Sequence, residues 1–199
     1  MPRVPWLFGQ GCVADRGDGK KTMARTLAST YAARVDLVWP SDSPATVTST
    51  GVLQGGLAGS VYESGWSVWN AGTIAGTGLY LNGPASVYNV GAISGTVYGV
   101  RLLGGSAVNA GSVSGGTYGF DLTGGSFTNL STGTISGLNG ANVRAGSATV
   151  VNAGAINANP AANGIVLQTG NLLINQTGGS IFGFNGVRVN GAATVVSPH

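Results

Sequence analysis

The sequence predicts an all-β fold: a parallel β-helix, or β-solenoid, of about seven coils that each contain about three short strands. Three observations lead to this prediction. The composition is rich in glycine and poor in charge, an asparagine recurs at nearly constant spacing, and a second short pattern that begins with glycine follows each of these asparagines. Together they indicate a repeated β unit that is held by backbone hydrogen bonds.

The composition restricts the class of protein. Glycine supplies 36 of the 199 residues and charged residues only 8%, whereas an ordinary soluble domain has roughly 25% charged residues. Apolar residues reach 43%, which excludes a typical disordered chain because such chains lack hydrophobic residues. The net charge is +3, and six of the nine basic residues lie in the first 45 positions. No basic stripe remains to follow a phosphate backbone, so we expect no nucleic-acid partner.

The recurring asparagine gives the repeat its period. Successive asparagines are separated by 19, 20, 20, 23 and 23 residues: Asn70, Asn89, Asn109, Asn129, Asn152 and Asn175. An apolar residue stands two positions before each of them, and an aliphatic residue follows a few positions later. Stacked coils would bring these asparagines together as a ladder, in which each amide could bind the next coil and a corner backbone group.

A second pattern completes each coil. It consists of glycine, an apolar residue, any residue and another apolar residue, and it begins at Gly78, Gly99, Gly119, Gly140, Gly164 and Gly186. The alternation of apolar positions predicts a strand with one buried face. We expect these glycines at corners, where the chain turns with positive φ or packs tightly.

The solenoid is predicted to occupy residues 46–199. A degraded coil is visible at 47–53, where Thr48 stands in place of the asparagine. Residues 1–45 do not fit the repeat, and 23–39 is expected to form a short helix with Leu27, Tyr31 and Val35 on one face. This N-terminal segment is interpreted as a cap on the solenoid or as a misread gene start.

The coil sequences resemble those of a known family. The segments 70–74 (NAGTI) and 152–156 (NAGAI) look like the repeats of autotransporter passenger domains and haemagglutinin-like adhesins of Gram-negative bacteria. The resemblance covers roughly residues 46–196, and it implies a right-handed β-helix displayed at the cell surface or secreted. It also implies a host-surface protein or a glycan as partner. The export signal and the C-terminal translocator typical of the family are not visible, so we expect the chain to be a fragment of a longer protein.

No residues suited to catalysis are predicted. Glycoside cleavage commonly needs two carboxylates in one cleft. From residue 46 onward only Glu63 and Asp121 are acidic, and about three coils separate them by roughly 14 Å along the axis. The single histidine, His199, and the single cysteine, Cys12, have no partner in the pattern. We therefore expect no enzyme activity, no metal and no cofactor, and an exposed, structural Asp121 paired with Arg101.

The sequence thus favours a structural stalk or adhesin segment, with a carbohydrate-processing β-helix enzyme and an ice-binding solenoid as alternatives. Ice binding would use small and hydroxylic residues that flank the buried aliphatic positions: Thr73, Ala75, Ala92, Ser94, Ser112, Ser114, Thr134 and Ser136. Glycans could instead stack on outward aromatic residues: Trp69, Tyr80, Tyr88, Tyr98 and Tyr118. The open solenoid end predicts self-association, and no apolar run is long enough for a transmembrane helix.

Overall fold

The computed structural model describes residues 24–59, 65–144 and 146–197, and their regular structure is entirely β. The chain winds as a parallel β-helix of eight coils, followed by the first strand of a ninth. The prediction of a parallel β-helix is therefore confirmed. The described residues contain no helix that could cross a membrane.

The strands of the first four coils are short. Coil 1 contains β1 (Arg25–Leu27), β2 (Thr30–Tyr31) and β3 (Val35–Leu37); coil 2 contains β4 (Ala45–Val47), β5 (Val52–Leu53) and β6 (Leu57–Gly59). Coil 3 contains β7 (Trp66–Asn70), β8 (Thr73–Ile74) and β9 (Leu79–Leu81); coil 4 contains β10 (Ala85–Asn89), β11 (Ala92–Gly95) and β12 (Tyr98–Leu102).

In coils 5 and 6 the second and third strands merge into one long strand. Coil 5 contains β13 (Gly105–Asn109) and β14 (Ser112–Thr123); coil 6 contains β15 (Ser126–Asn129) and β16 (Thr134–Arg144). Coil 7 contains β17 (Thr149–Asn152), β18 (Ala155–Ala158) and β19 (Asn163–Gln168); coil 8 contains β20 (Leu172–Asn175), β21 (Ser180–Phe182) and β22 (Asn185–Asn190). Strand β23 (Thr194–Val196) begins coil 9.

Each strand pairs in parallel with its counterpart one coil away. The first strands of coils 1 to 9 form one sheet of nine strands, and the second and third strands belong to a sheet of 14 strands that bends around the other side. The register keeps equivalent residues opposite each other, as when Val68, Val87 and Ala107 align on successive coils. Because strands in a sheet are about 4.8 Å apart, nine of them span roughly 38 Å.

The core consists of columns of apolar side chains. The position two before each asparagine, the aliphatic position after it, and both apolar positions of the glycine pattern are buried from coil 3 to coil 7. In two neighbouring apolar columns, a phenylalanine on one coil is aligned with an alanine on the next. Phe120 and Phe127 stack with their ring centroids 4.0 Å apart, while Ala141 and Ala107 occupy the neighbouring positions of their columns. Coils 5 and 6 therefore each hold one phenylalanine and one alanine, which keeps the core volume constant.

The helix predicted over 23–39 is wrong. Strands β1, β2 and β3 lie there, and they pair with β4, β5 and β6 of coil 2. Leu27, Val35 and Leu37 are buried, so the apolar positions follow strand alternation rather than a helical face. Pairing satisfies the backbone groups on the edge of coil 2 and covers its interior, which a helix could do only in part. The described residues before position 46 thus add one coil to the seven predicted from there onward.

Candidate functional site

The six recurring asparagines form a continuous ladder along the solenoid, hereafter the asparagine ladder. They occupy equivalent positions on coils 3 to 8: Asn70, Asn89, Asn109, Asn129, Asn152 and Asn175. The first five are buried, and Asn175 is half-buried. The Nδ2 of each of the first five donates a hydrogen bond to Oδ1 of the next asparagine at 2.7–2.9 Å. The side chains therefore repeat the hydrogen bonding of the backbone beside them.

Each amide also satisfies backbone carbonyls at the bend after the first strand. Asn109 Nδ2, for example, lies 3.2 Å from the carbonyl oxygen of Gly111 in its own coil and 3.4 Å from that of Thr134 in the next. A primary amide has two N–H donors and one acceptor oxygen, so a single side chain can bind both the ladder and the bend. Buried carbonyls at this bend would otherwise carry a cost of about 1–3 kcal/mol each.

The ladder does not extend to coil 2 through the residue expected from the sequence. Val47, not Thr48, stands opposite Asn70. Val47 is fully buried, whereas Thr48 follows it, is half-buried, and has its Oγ1 3.1 Å from that of Thr50. The predicted match of Thr48 to the asparagine is one residue out because the bend between Val47 and Val52 is longer than the equivalent bend between Asn70 and Thr73.

Glycine is required in the second pattern mainly because there is no space for a Cβ atom at these positions. Only Gly78 has a positive φ, of 77°. Gly119 lies within β14, where an added Cβ would stand 2.5 Å from Ile135 Cγ2 and 2.6 Å from the carbonyl oxygen of Ser136. Gly99, Gly140 and Gly164 are equally crowded by backbone oxygens of the next coil. Contact between coils therefore requires glycine here.

The corner with positive φ lies instead between the third strand and the next coil. The pairs Gly104–Gly105 and Gly124–Gly125 both have positive φ there, between 70° and 100°. In coil 8, the buried Asn171 occupies this corner, and its Nδ2 donates to the carbonyl oxygen of Gln168 at 2.8 Å. Asn171 Oδ1 accepts from the backbone N–H of Ala148 at 2.8 Å. Its position directly after Gly170 is a turn signal that the sequence analysis missed.

A buried charged cluster lies on the third-strand face, hereafter the Asp121 cluster. Asp121 is 1% exposed. Arg144 Nε lies 3.0 Å from Asp121 Oδ1, and Arg144 Nη2 lies 3.2 Å from Oδ2. Asn142 Nδ2 donates to Oδ1 at 2.7 Å, and Arg101 Nε lies 3.3 Å from Oδ2 as an ion pair. The expected Arg101–Asp121 pair is present, but the expectation of an exposed pair is wrong because neighbouring side chains cover the carboxylate.

Arg144 is the stronger partner of Asp121, and the sequence analysis did not identify it. Its hydrogen bonds to Asp121 raise the pKa of Arg144, although burial opposes the shift. Because the pKa of Arg144 is raised in the folded protein, the protonation of this arginine stabilises the fold at every pH below the ordinary arginine pKa. The stabilisation by Arg144 protonation is therefore constant near neutral pH. Arg144 comes from the next coil, 23 residues after Asp121, and no local pattern indicates that approach.

Three tyrosines border the Asp121 cluster. Arg101 lies over the rings of Tyr80 and Tyr98, with its Cζ 5.1 and 5.0 Å from their centroids. Tyr98 stacks on Tyr118 with centroids 6.0 Å apart and planes 10° apart. On the next coil, Asn139 takes the position of Tyr118. An amide ladder then continues the column, since Asn139 Oδ1 accepts from Asn163 Nδ2 at 3.2 Å and Asn163 Oδ1 from Asn185 Nδ2 at 2.9 Å.

The other carboxylates of the described residues also face arginines. Asp42 Oδ2 lies 2.7 Å from Arg25 Nη1, and Asp36 Oδ1 lies 2.8 Å from Arg34 Nε. The parts of the chain that the structure describes contain no group of three or more histidine, cysteine, aspartate or glutamate residues that could hold a metal ion. Three residues considered above, Cys12, Glu63 and His199, lie outside the described residues.

The hydroxylic columns considered for ice binding are in register but irregular. Ser112 aligns with Thr134, and Ser114 with Ser136. The pattern is lost on coils 7 and 8, where Asn157 and Phe182 occupy the column that contains Ser114 and Ser136.

Comparison with protein-family models, curated proteins and solved structures found no significant match.

Proposed function

We propose that this chain is a structural stalk segment of a surface-displayed or secreted adhesin of the autotransporter type. The observation that supports this most is the asparagine ladder, which is unbroken over six coils. Backbone pairing on both sheets and the apolar columns join coils 1 to 8, and the ladder adds a further connection between coils 3 and 8. Such repetition resists bending because every coil is fixed by both of its neighbours.

The placement of the carboxylates also supports a structural role. Asp36, Asp42 and Asp121 each lie within 3.3 Å of an arginine nitrogen. A carboxylate whose oxygens are held by a guanidinium has fewer oxygens free to contact a glycosidic bond or a water, and glycoside cleavage requires such contacts from two carboxyl groups. This favours the stalk over a carbohydrate-processing enzyme. Reproducible release of reducing ends from a polysaccharide by the purified chain would support the enzyme instead.

The stalk is tested by pulling single molecules of the full chain from its two ends. We expect a series of unfolding events whose contour-length increments are multiples of roughly 70 Å, since a coil of about 20 residues extends by about 3.4 Å per residue. The coils should unfold separately because each contacts only its neighbours. Extension without stepwise resistance would contradict the proposal of a stiff stalk.

The adhesin half of the proposal needs a separate measurement. Beads that carry the full chain are compared with beads that carry serum albumin for attachment to cultured epithelial cells under flow. We expect more attached beads with the chain, and the excess should disappear when soluble chain is added in competition. Equal attachment of both kinds of bead would reject the adhesin and leave the mechanical role to the pulling experiment.

A further inference from the structure

The third-strand face between coils 4 and 6 combines aromatic rings with a guanidinium that retains free donors. Arg144 uses Nε and Nη2 on Asp121, and its Nη1 donates no hydrogen bond to any of the described residues. The Arg144 side chain is 38% exposed. An arginine fork presents five donors and binds carboxylates in a planar, paired geometry. Arg144 is therefore fixed in position and still able to bind an anion.

The cluster carries excess positive charge. Two guanidiniums, Arg101 and Arg144, face the single carboxylate of Asp121, which leaves one formal positive charge. Arg101 Nε is buried and donates no hydrogen bond to any residue that the structure describes. Its side chain is 25% exposed. The electrostatic field on this face therefore favours an anionic ligand.

The outward column becomes shorter beside Tyr118, and the step that this leaves on coil 6 is hereafter called the notch. One face of its ring is stacked against Tyr98. The next position in this column is Asn139, which is much shorter than tyrosine, so within the described residues no aromatic ring covers the other face. Contacts connect the ring to Arg144 through Tyr98, which stacks on Tyr118 and lies beneath the guanidinium of Arg101. Arg101 and Arg144 both face the carboxylate of Asp121. An apolar ring face, an amide and a guanidinium thus border one notch between coils 5 and 6.

We propose that this notch binds a saccharide that carries carboxylate groups, with a sugar ring against the part of the Tyr118 ring that extends beyond Asn139 and its carboxylate on Arg144. The C–H face of a pyranose packs on an aromatic ring, whereas its hydroxyls bind amides such as Asn139. Arg101 and Tyr98 act as positioning residues, since Arg101 lies over Tyr98 and Tyr98 supports Tyr118. The inference deepens the adhesin half of the proposed function, because it names the class of ligand and the residues that bind it.

The probe is hexagalacturonate, titrated calorimetrically into the full chain at low salt. We expect saturable binding that weakens as salt is added, because the site is partly exposed. The Tyr118→Ala and Arg144→Gln variants should each raise Kd by about tenfold or more, and Arg144→Lys should bind with intermediate affinity because it keeps the charge and loses the fork. Tyr118→Phe keeps the ring and should bind nearly as the wild type does, which separates ring contact from loss of folding.

Two matched variants serve as controls. Arg188→Gln removes an exposed arginine from the same outward column on coil 8, and Tyr88→Ala removes an exposed tyrosine from the other sheet. Both should leave Kd unchanged. Circular dichroism and the thermal midpoint confirm that each variant is folded.

Two further ligands test whether the notch recognises both the sugar ring and the carboxylate. The methyl ester of hexagalacturonate keeps the sugar rings and loses the charge, while hexaglutamate keeps the carboxylates and lacks the rings. We expect both to bind at least about tenfold more weakly, because each lacks one half of the recognition. Equal binding of hexaglutamate, equal loss of affinity in the control variants, or no binding of hexagalacturonate to the wild type would each overturn the proposal. The pulling experiment does not depend on this notch. A failure of the saccharide-binding proposal can therefore be distinguished from a failure of the stalk proposal.

Discussion

At the scale of single residues, the asparagine ladder depends on a side chain that donates and accepts in the same plane. Asn109 accepts from Asn89 at 2.8 Å and donates to Asn129 at 2.9 Å. Serine and threonine are too short to span two coils, and aspartate cannot donate when ionised. Asparagine also binds the carbonyl groups of the following bend, which explains why one residue type recurs at this position.

Replacement of an asparagine in the middle of the ladder should cost more than replacement at its end. We expect Asn109→Ala to lower the free energy of unfolding by about 1–3 kcal/mol, because it leaves buried amide and carbonyl groups without partners. Asn175→Ala serves as the control. Its amide is half-buried and has a ladder partner on one side only, so we expect a loss below about 1 kcal/mol. Urea denaturation followed by circular dichroism measures both; equal losses would show that the ladder is not cooperative.

The crowded glycine column provides a second comparison between identical substitutions. Gly119→Ala places a Cβ 2.5 Å from Ile135 Cγ2, and we expect it to destabilise the protein by about 1–3 kcal/mol through overpacking. At Gly186, on coil 8, the nearest atom to an added Cβ is the carbonyl oxygen of Ile181 at 3.2 Å. Gly186→Ala should therefore change the urea midpoint very little. A similar shift in both variants would mean that backbone freedom, and not space, selects glycine in this column.

At the scale of elements, the third strands combine burial with charge. The residue opposite Asp121 is Arg101 on coil 4 and Asn142 on coil 6. Arg144 reaches Asp121 diagonally, from two positions further along β16. Asp121 is thereby neutralised from both sides, which a buried carboxylate requires.

Removal of both arginines should be far more harmful than removal of either one. With Arg101→Gln or Arg144→Gln alone, Asp121 keeps one guanidinium, and we expect a loss of about 1 kcal/mol. The double variant leaves a buried carboxylate unpaired, and we expect a loss of about 3 kcal/mol or more. Arg34→Gln is the control, because its partner Asp36 is 63% exposed. Additive effects in the double-mutant cycle would indicate that the two arginines do not share Asp121.

At the scale of the whole molecule, the solenoid is one-dimensional, and its coils differ in how well they are covered. The core side chains of coils 4 to 7 are buried. On coil 8, by contrast, Ile181 and Val187 are only half-buried and Val189 is 41% exposed, and Val195 in β23 is 45% exposed. Among the strands that the structure describes, β22 pairs only with β19, and β23 only with β20. Stability should therefore fall toward coil 9.

Amide hydrogen exchange should report this gradient. We expect the slowest exchange within 85–168, where each coil is hydrogen-bonded on both sides, and the fastest exchange of the strand amides within 180–196. Mass spectrometry of peptides from the exchanged full chain measures it. Uniform protection from coil 4 to β23 would contradict nearest-neighbour stabilisation and indicate that the solenoid opens as one cooperative unit.

The sequence by itself determined the fold class and most of the core. The period of the asparagines, the alternation of apolar positions and the recurring glycines describe one coil completely, and stacking of equal coils leaves little freedom in the architecture. The buried columns through Val68, Ile74 and Leu79 follow directly from that pattern. Coil 1 escaped detection because it has the alternation of a strand without the asparagine or the glycine pattern.

Only the tertiary structure decided which side chains meet between coils. The alignment of Val47 with Asn70, the crowding at Gly119 and the approach of Arg144 to Asp121 depend on register and on the lengths of the bends. A shift of one residue reverses the face of every side chain in a strand, so a repeat with bends of unequal length does not specify these contacts. Burial of Asp121 likewise depends on residues from three coils, and local sequence has no information about that distance.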